Sequence, residues 1–145
     1  MKAMKMLLVL PGILAVQSLF AQTNSKLTLS DAYPAAGEKI TINYNPAGTA
    51  LEGKKDISAY VYFLDNKDFP VADLNLTPKD KSLTGDVTIP ANAEAFFVRI
   101  SSGPFIESND GKGYIFPVYK DKQPVQGAYA MEGYMFGAGS EIPLR

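Results

Sequence analysis

Apolar and polar residues alternate along most of the chain after residue 24. Ile40, Ile42 and Tyr44 share one parity while Thr41 and Asn43 fill the other, and residues 83–89 repeat this pattern. A period of two is typical of strands that bury one face and expose the other, because successive side chains of a strand point to opposite sides. The pattern therefore predicts a β-structure and no long amphipathic helix in this part of the chain.

Three segments are apolar on both parities: residues 57–64, 95–100 and 114–119. Such segments are typical of central strands, or of strands whose outer face is covered. Turn signals rich in Pro, Gly, Asn and Asp separate the apolar runs and delimit about seven strands at intervals of roughly 8–14 residues. We predict an all-β, immunoglobulin-like β-sandwich over residues 22–122. Residues 69–89 are expected to form one hairpin that turns at Thr77 and Pro78.

The pattern changes after Lys122. Residues 126–136 contain Ala, Met and Glu in place of β-branched residues. We expect residues 123–145 to be a short helical or disordered tail. The tail either packs back on the sandwich or begins a helical region that this chain lacks, and the abrupt change favours the second alternative.

Residues 1–21 have the features of a secretory signal peptide. Lys2 and Lys5 form a basic start, residues 6–20 are largely apolar, and Ala21 precedes the expected cleavage point. The apolar stretch falls short of the roughly 20 residues that a transmembrane helix needs. We therefore expect an exported chain, periplasmic or extracellular, with no stable membrane span after cleavage.

The sequence contains no Cys, His or Trp. Catalytic triads with His, Cys–His nucleophiles and redox Cys-x-x-Cys pairs are therefore excluded, as are the usual zinc, copper and haem ligand sets. We expect no cofactor, no metal and no catalytic residue. The net charge is −1, and removal of Lys2 and Lys5 with the leader leaves 12 basic and 15 acidic residues, a net charge of −3. A basic patch typical of nucleic-acid binding is missing, so no nucleic-acid partner is expected.

Two kinds of site that use side-chain oxygen atoms remain possible: a catalytic pair of carboxylates and a calcium-binding loop. Paired carboxylates can hydrolyse glycosides, but the acidic residues fall in turns and on polar strand faces, where solvated charges are ordinary. Residues 65–68 (DNKD) and 107–111 (ESNDG) are oxygen-rich loops. Neither has the spacing of a calcium-binding loop, and turns capped by Asn or Asp side chains account for both.

Aromatic residues are the other candidates for binding. Tyr60, Tyr62 and Tyr119 lie on predicted strands, and Tyr60 and Tyr62 share the face opposite Val61 and Phe63. Core packing is the ordinary role of such residues. If the face is open, the three tyrosines form a candidate binding surface.

Several strings in the chain resemble the amino-terminal region of exported bacterial TlpA-type thiol–disulfide oxidoreductases. They are residues 27–31 (LTLSD), 34–48 (PAAGEKITINYNPAG), 51–56 (LEGKKD), 62–66 (YFLDN) and 113–120 (GYIFPVYK). The resemblance extends over residues 1–136. It implies an Ig-like domain that precedes a helical region and a thioredoxin-like domain carrying the Cys-x-x-Cys pair.

This chain has no cysteine, so no catalytic residue is carried over from that family. The resemblance implies a non-catalytic accessory or interaction domain, whose partner is a protein or a downstream thioredoxin-like domain. The alternative is a stand-alone module that binds carbohydrate or a cell surface. A hydrolase with two facing carboxylates is a third, less favoured hypothesis.

Overall fold

The computed structural model describes residues 25–65 and 67–138. The predicted signal peptide (1–21) and residues 139–145 of the predicted tail lie outside the described residues. The regular elements of the described chain are short strands followed by one helix. The elements are β1 (Leu27–Leu29), β2 (Lys39–Tyr44), β3 (Ser58–Leu64), β4 (Val71–Leu74), β5 (Thr77–Lys79), β6 (Ser82–Thr88), β7 (Ala95–Ser102), β8 (Phe105–Ile106), β9 (Tyr114–Pro117), β10 (Tyr119–Lys120), β11 (Gln123–Pro124) and α1 (Ala128–Ala138).

Nine of the strands form two antiparallel sheets that enclose one core, and β10 and β11 form a separate antiparallel pair. The first sheet has the order β1-β2-β6-β5. The second has the order β4-β3-β7-β8, with β9 also paired to β7. This arrangement confirms the predicted all-β, immunoglobulin-like sandwich. Its fully buried side chains come from alternate positions of β2, β3 and β7, and they include Ile40, Ile42, Tyr44, Phe63 and Phe96.

The predicted hairpin over residues 69–89 is wrong. β4 pairs with β3 in the second sheet, with Val71 opposite Tyr62. β5 pairs with β6 in the first sheet, and their hairpin turns at residues 80 and 81. Asp80 adopts a left-handed conformation there (φ 54°), which Asp tolerates better than most residues. The segment between β4 and β5 therefore crosses from one sheet to the other, and Thr77 and Pro78 belong to a strand.

The packed structure extends past the predicted boundary at Lys122. β11 pairs with β10, and Val125 packs against the core. α1 contacts β9 and β7 of the second sheet. Residues 123–138 therefore pack back on the sandwich, and residues 128–138 form a helix, one of the two forms predicted for the tail. No helix among the described residues is long and apolar enough to cross a lipid bilayer.

Candidate interaction face

The outer face of the second sheet carries an apolar row that runs across four strands. The register places Val71 of β4 opposite Tyr62 of β3, Tyr62 opposite Phe97 of β7, and Phe97 opposite Ile115 of β9. These four residues, called the aromatic row below, alternate along their strands with core residues such as Val61. The Tyr62 and Phe97 rings lie 6.1 Å apart with a tilt of 42°. Val71 is 52% exposed.

A second, more polar row lies beside the aromatic row on the same face. Here Tyr60 of β3 is paired with Asp73 of β4 on one side and with Arg99 of β7 on the other. Tyr60 is exposed. Burial raises the pKa of Tyr62, and the positive charge of Arg99 partly offsets this. The face therefore combines an apolar centre with charges of both signs at its border.

Helix α1 packs against the second sheet through β7 and β9. Leu64 and Ala95 are paired across β3 and β7, and both are buried although they point away from the main core. Ala128 and Met135 of α1 are buried, outside the main core like Leu64 and Ala95. Both sides of the sheet are thus apolar. One side faces the core, and the other is partly covered by the helix and partly open.

Exposed aromatic side chains continue the apolar surface from the sheet onto the helix. Phe69, just before β4, stacks on Tyr134 of α1 with ring centroids 6.2 Å apart and an interplanar angle of 17°. Both rings remain more than half exposed, and so does Tyr129. Exposed aromatic residues grouped in this way are a common feature of binding surfaces.

The structure brings together two of the three tyrosines singled out in the sequence. Tyr60 and Tyr62 share the outer face of β3, as the alternation indicated. Tyr119 lies elsewhere: it forms a parallel bridge with Ala35, and its ring packs edge-on against Tyr33 at 5.2 Å. Burial raises the pKa of Tyr119. Tyr119 therefore packs among different neighbours from Tyr60 and Tyr62.

The sequence reading missed three members of the face: Val71, Phe97 and Ile115. A signal for two of them was present, because residues 95–100 and 114–119 are apolar on both parities. That pattern indicates that the second face of a strand is apolar, but not whether a helix covers it. The position of Val71 beside Tyr62 follows only from the pairing of β4 with β3.

The two oxygen-rich loops are organised by internal hydrogen bonds. Asp65 Oδ1 accepts hydrogen bonds from the backbone amides of Lys67 (2.7 Å) and Asp68 (2.5 Å), and these bonds lower the pKa of Asp65. Glu107 Oε1 accepts a hydrogen bond from the amide of Asn109 at 2.7 Å. Both are local side-chain caps of turns. Within residues 25–65 and 67–138 no three metal-ligating acidic side chains come together.

A buried phenol pair lies near the second of these loops. The Tyr44 hydroxyl is 2.9 Å from Thr49 Oγ1 and 3.4 Å from Glu107 Oε2. Because the Thr49 hydroxyl donates to the Pro46 carbonyl, Tyr44 is the donor to Thr49. The hydroxyl of Tyr114 has no hydrogen-bond partner among the described residues. These groups lie at the end of the core and belong to the interior of the sandwich, not to the outer face.

No family model matches the chain, and no curated protein is significantly similar to it in sequence. Solved structures that are similar include the crystal structure of the Lin-41 filamin domain. It is 15% identical over 66% of this chain and 93% of that chain, with a TM-score of 0.41.

Proposed function

We propose that this protein is a non-catalytic, exported accessory domain that binds a thioredoxin-like disulfide oxidoreductase of the TlpA type. The observation that carries the proposal is the open outer face of the second sheet. Tyr60 and Val71 of this face are exposed and Tyr62, Phe97 and Ile115 are half-buried, while α1 contacts β7 and β9 of the same sheet. The choice of partner rests on the resemblance of residues 27–31, 34–48 and 113–120 to that family.

The composition of the face suits a protein partner. Protein–protein interfaces typically have an apolar, aromatic centre and a polar rim, with Tyr, Phe and Arg enriched. Here the aromatic row supplies the centre, and Asp73 and Arg99 flank Tyr60 at the border. Since the chain has no cysteine, the redox chemistry would take place entirely on the partner, and this domain would orient the catalytic module or its substrate.

Calorimetric titration with a recombinant thioredoxin-like domain of a TlpA-type protein tests the proposal. We expect binding that weakens at least about tenfold in a Tyr60→Ala, Val71→Ala double variant, because truncation of central interface side chains costs about 2 kcal/mol or more at hot spots. The control is Thr88→Ala, an exposed change on the outer face of the first sheet, which should bind like the unaltered protein. Equal binding by all variants, or no binding up to millimolar concentrations, would contradict the proposal.

Carbohydrate binding is the second candidate, and one observation favours it. Tyr60 and Tyr62 share an outer face, where flat rings can stack on sugars. A glycan array separates the two functions. Carbohydrate binding would replace the first proposal on two results: the protein binds a glycan and loses this binding in Tyr60→Ala, and it does not bind the thioredoxin-like domain.

A further inference from the structure

The two lateral edges of the second sheet differ in how they are protected. An edge strand presents unpaired N–H and C=O groups, which attract further strands unless Pro, Lys or a covering segment blocks them. The second sheet ends with β8 and β9 on one side and with β4 on the other. Whether each edge is open depends on which residues direct their backbone groups outward.

The β9 edge is largely blocked. The Val118 amide donates to the Glu94 carbonyl at 2.9 Å, so Phe116 directs its backbone groups toward β7, while Ile115 and Pro117 direct theirs outward. Pro117 has no N–H. Just before β9, the Gly113 carbonyl accepts a hydrogen bond from Asn109 Nδ2 at 2.7 Å. Ile115 is therefore the one residue of β9 with an outward backbone N–H.

No strand of residues 25–65 and 67–138 pairs with the outer side of β4. The Phe63 amide donates to the Pro70 carbonyl at 2.9 Å, which sets the alternation of the ladder between β3 and β4. Ala72 and Leu74 consequently direct their backbone groups toward β3. Val71 and Asp73 direct their N–H and C=O groups away from the sheet, and both residues are exposed. The proline that precedes β4 has its missing N–H on the β3 side, so it does not protect the outer edge.

Exposed apolar side chains lie at the start of this edge, ahead of the charged Asp73. Phe69 and Val71 are both about half exposed, at 53% and 52%. A strand added beside β4 would place alternate side chains next to Val71, in line with the aromatic row. β5, the corresponding edge of the first sheet, instead carries Pro78 and Lys79, residues that discourage strand addition.

We infer that the β4 edge accepts an extended segment of a partner polypeptide as an additional strand of the second sheet. The N–H and C=O groups of Val71 and Asp73 supply up to four backbone hydrogen bonds, and the aromatic row selects apolar side chains at alternate positions of the added strand. The inference deepens the proposed function, because it names how a protein partner engages this face. It does not depend on that partner being thioredoxin-like.

Selection from phage-displayed random heptapeptides tests the inference, with Asp73→Pro and Asp73→Ala as the decisive pair. Asp73→Pro removes an N–H that points away from β3, so the native ladder stays intact, as a thermal unfolding midpoint can verify. Asp73→Ala removes the same carboxylate but keeps the amide. We expect selected peptides to have alternating apolar residues, and to bind Asp73→Pro at least about tenfold more weakly than Asp73→Ala, the ratio that loss of one backbone hydrogen bond of about 1.4 kcal/mol produces.

Amide hydrogen exchange supplies the second measurement. Peptide binding should slow exchange at Val71 and Asp73, while Ala72, already in the ladder, changes little. Equal binding to the two Asp73 variants, unchanged exchange at Val71, or failure to enrich any peptide would overturn the inference. Dimerisation of the protein that Asp73→Pro abolishes would also overturn it, in favour of a second copy as the occupant. If peptides bind as expected but the thioredoxin-like domain does not bind, the proposed partner is wrong and the strand-addition site is retained.

Discussion

Gly85 of β6 lies where the chain passes from β4 to β5 and changes sheets. A Cβ atom at this position would lie 2.7 Å from the Asn75 carbonyl oxygen and 2.9 Å from Leu74 Cδ1. Carbon atoms do not normally approach backbone oxygen this closely, and a backbone atom has little freedom to move. The missing side chain of one residue therefore allows the crossing segment to pack directly over β6.

We predict that Gly85→Ala destabilises the protein by about 1–3 kcal/mol, the usual cost of overpacking a filled site. Chemical denaturation measures the change. Gly133→Ala in α1 is the matched control, since no atom lies within 4 Å of its added Cβ. That substitution should be neutral or stabilise by up to about 1 kcal/mol, because Ala is the better helix former. An unaltered unfolding free energy in Gly85→Ala would show that the crossing segment can move away.

At the scale of single elements, α1 depends on its contacts with the sandwich. Its first turn has no acidic residue and its last turn no basic residue, and Gly133 and Gly137 lower its intrinsic helix propensity. Two glutamates influence it in opposite ways. The Glu94 carboxylate lies within 2.9 Å of the position a Cβ of Gly127 would take, beside the positive end of the helix dipole. Glu132 is partly buried in the helix, and this burial raises its pKa.

We predict that Glu132→Gln stabilises α1 at pH 7, whereas Glu94→Gln destabilises it by about 0.3–1 kcal/mol through loss of the dipole interaction. A carboxyl whose folded-state pKa is raised opposes folding when charged, so the gain from Glu132→Gln should disappear as the pH falls below its ordinary value of 4.5. Amide hydrogen exchange in residues 128–138 measures both effects. Changes of the same sign at pH 7 would contradict the assigned roles of the two carboxylates.

At the scale of the whole molecule, one core packed between two sheets stabilises the fold, and this core includes tyrosine side chains. Tyr44 and Tyr114 are both buried. Burial raises the pKa of Tyr44 to about 12, and it also raises the pKa of Tyr114. Glu107 adds to both shifts, because a nearby negative charge disfavours a second one.

These shifts predict alkaline unfolding. A phenol whose pKa is higher in the folded state contributes stability that is complete below its ordinary pKa of 10 and is lost as the pH rises through about 12. The denaturation midpoint should therefore be constant from pH 7 to 9 and fall between pH 10 and 12. In Tyr44→Phe the fall should be smaller, although the stability at pH 7 is reduced by about 1 kcal/mol through loss of the bond to Thr49. An identical pH profile for the variant would refute the assignment.

The strand that pairs with β4 could not be predicted from the sequence. The residues of β4 and β6 were correctly placed in strands, because strand character follows from local composition and a period of two. Their pairing was not predicted, since antiparallel partners far apart in sequence are chosen by the packing of the complete core. The expected turn at Pro78 failed for the same reason: Pro78 lies in the short edge strand β5, where a missing N–H is tolerated.

The sequence by itself determined that the chain forms a β-sandwich, that Tyr60 and Tyr62 point to the same side, and that cysteine and histidine chemistry is absent. Each follows from composition or from the alternation of side chains along a single strand. Only the tertiary structure decided that Tyr119 pairs with Pro124 and packs on Tyr33, that α1 packs on the second sheet, and that Val71, Phe97 and Ile115 line up with Tyr62 on one face. These depend on strand register and on the position of α1, which are non-local results of packing that no window of sequence contains.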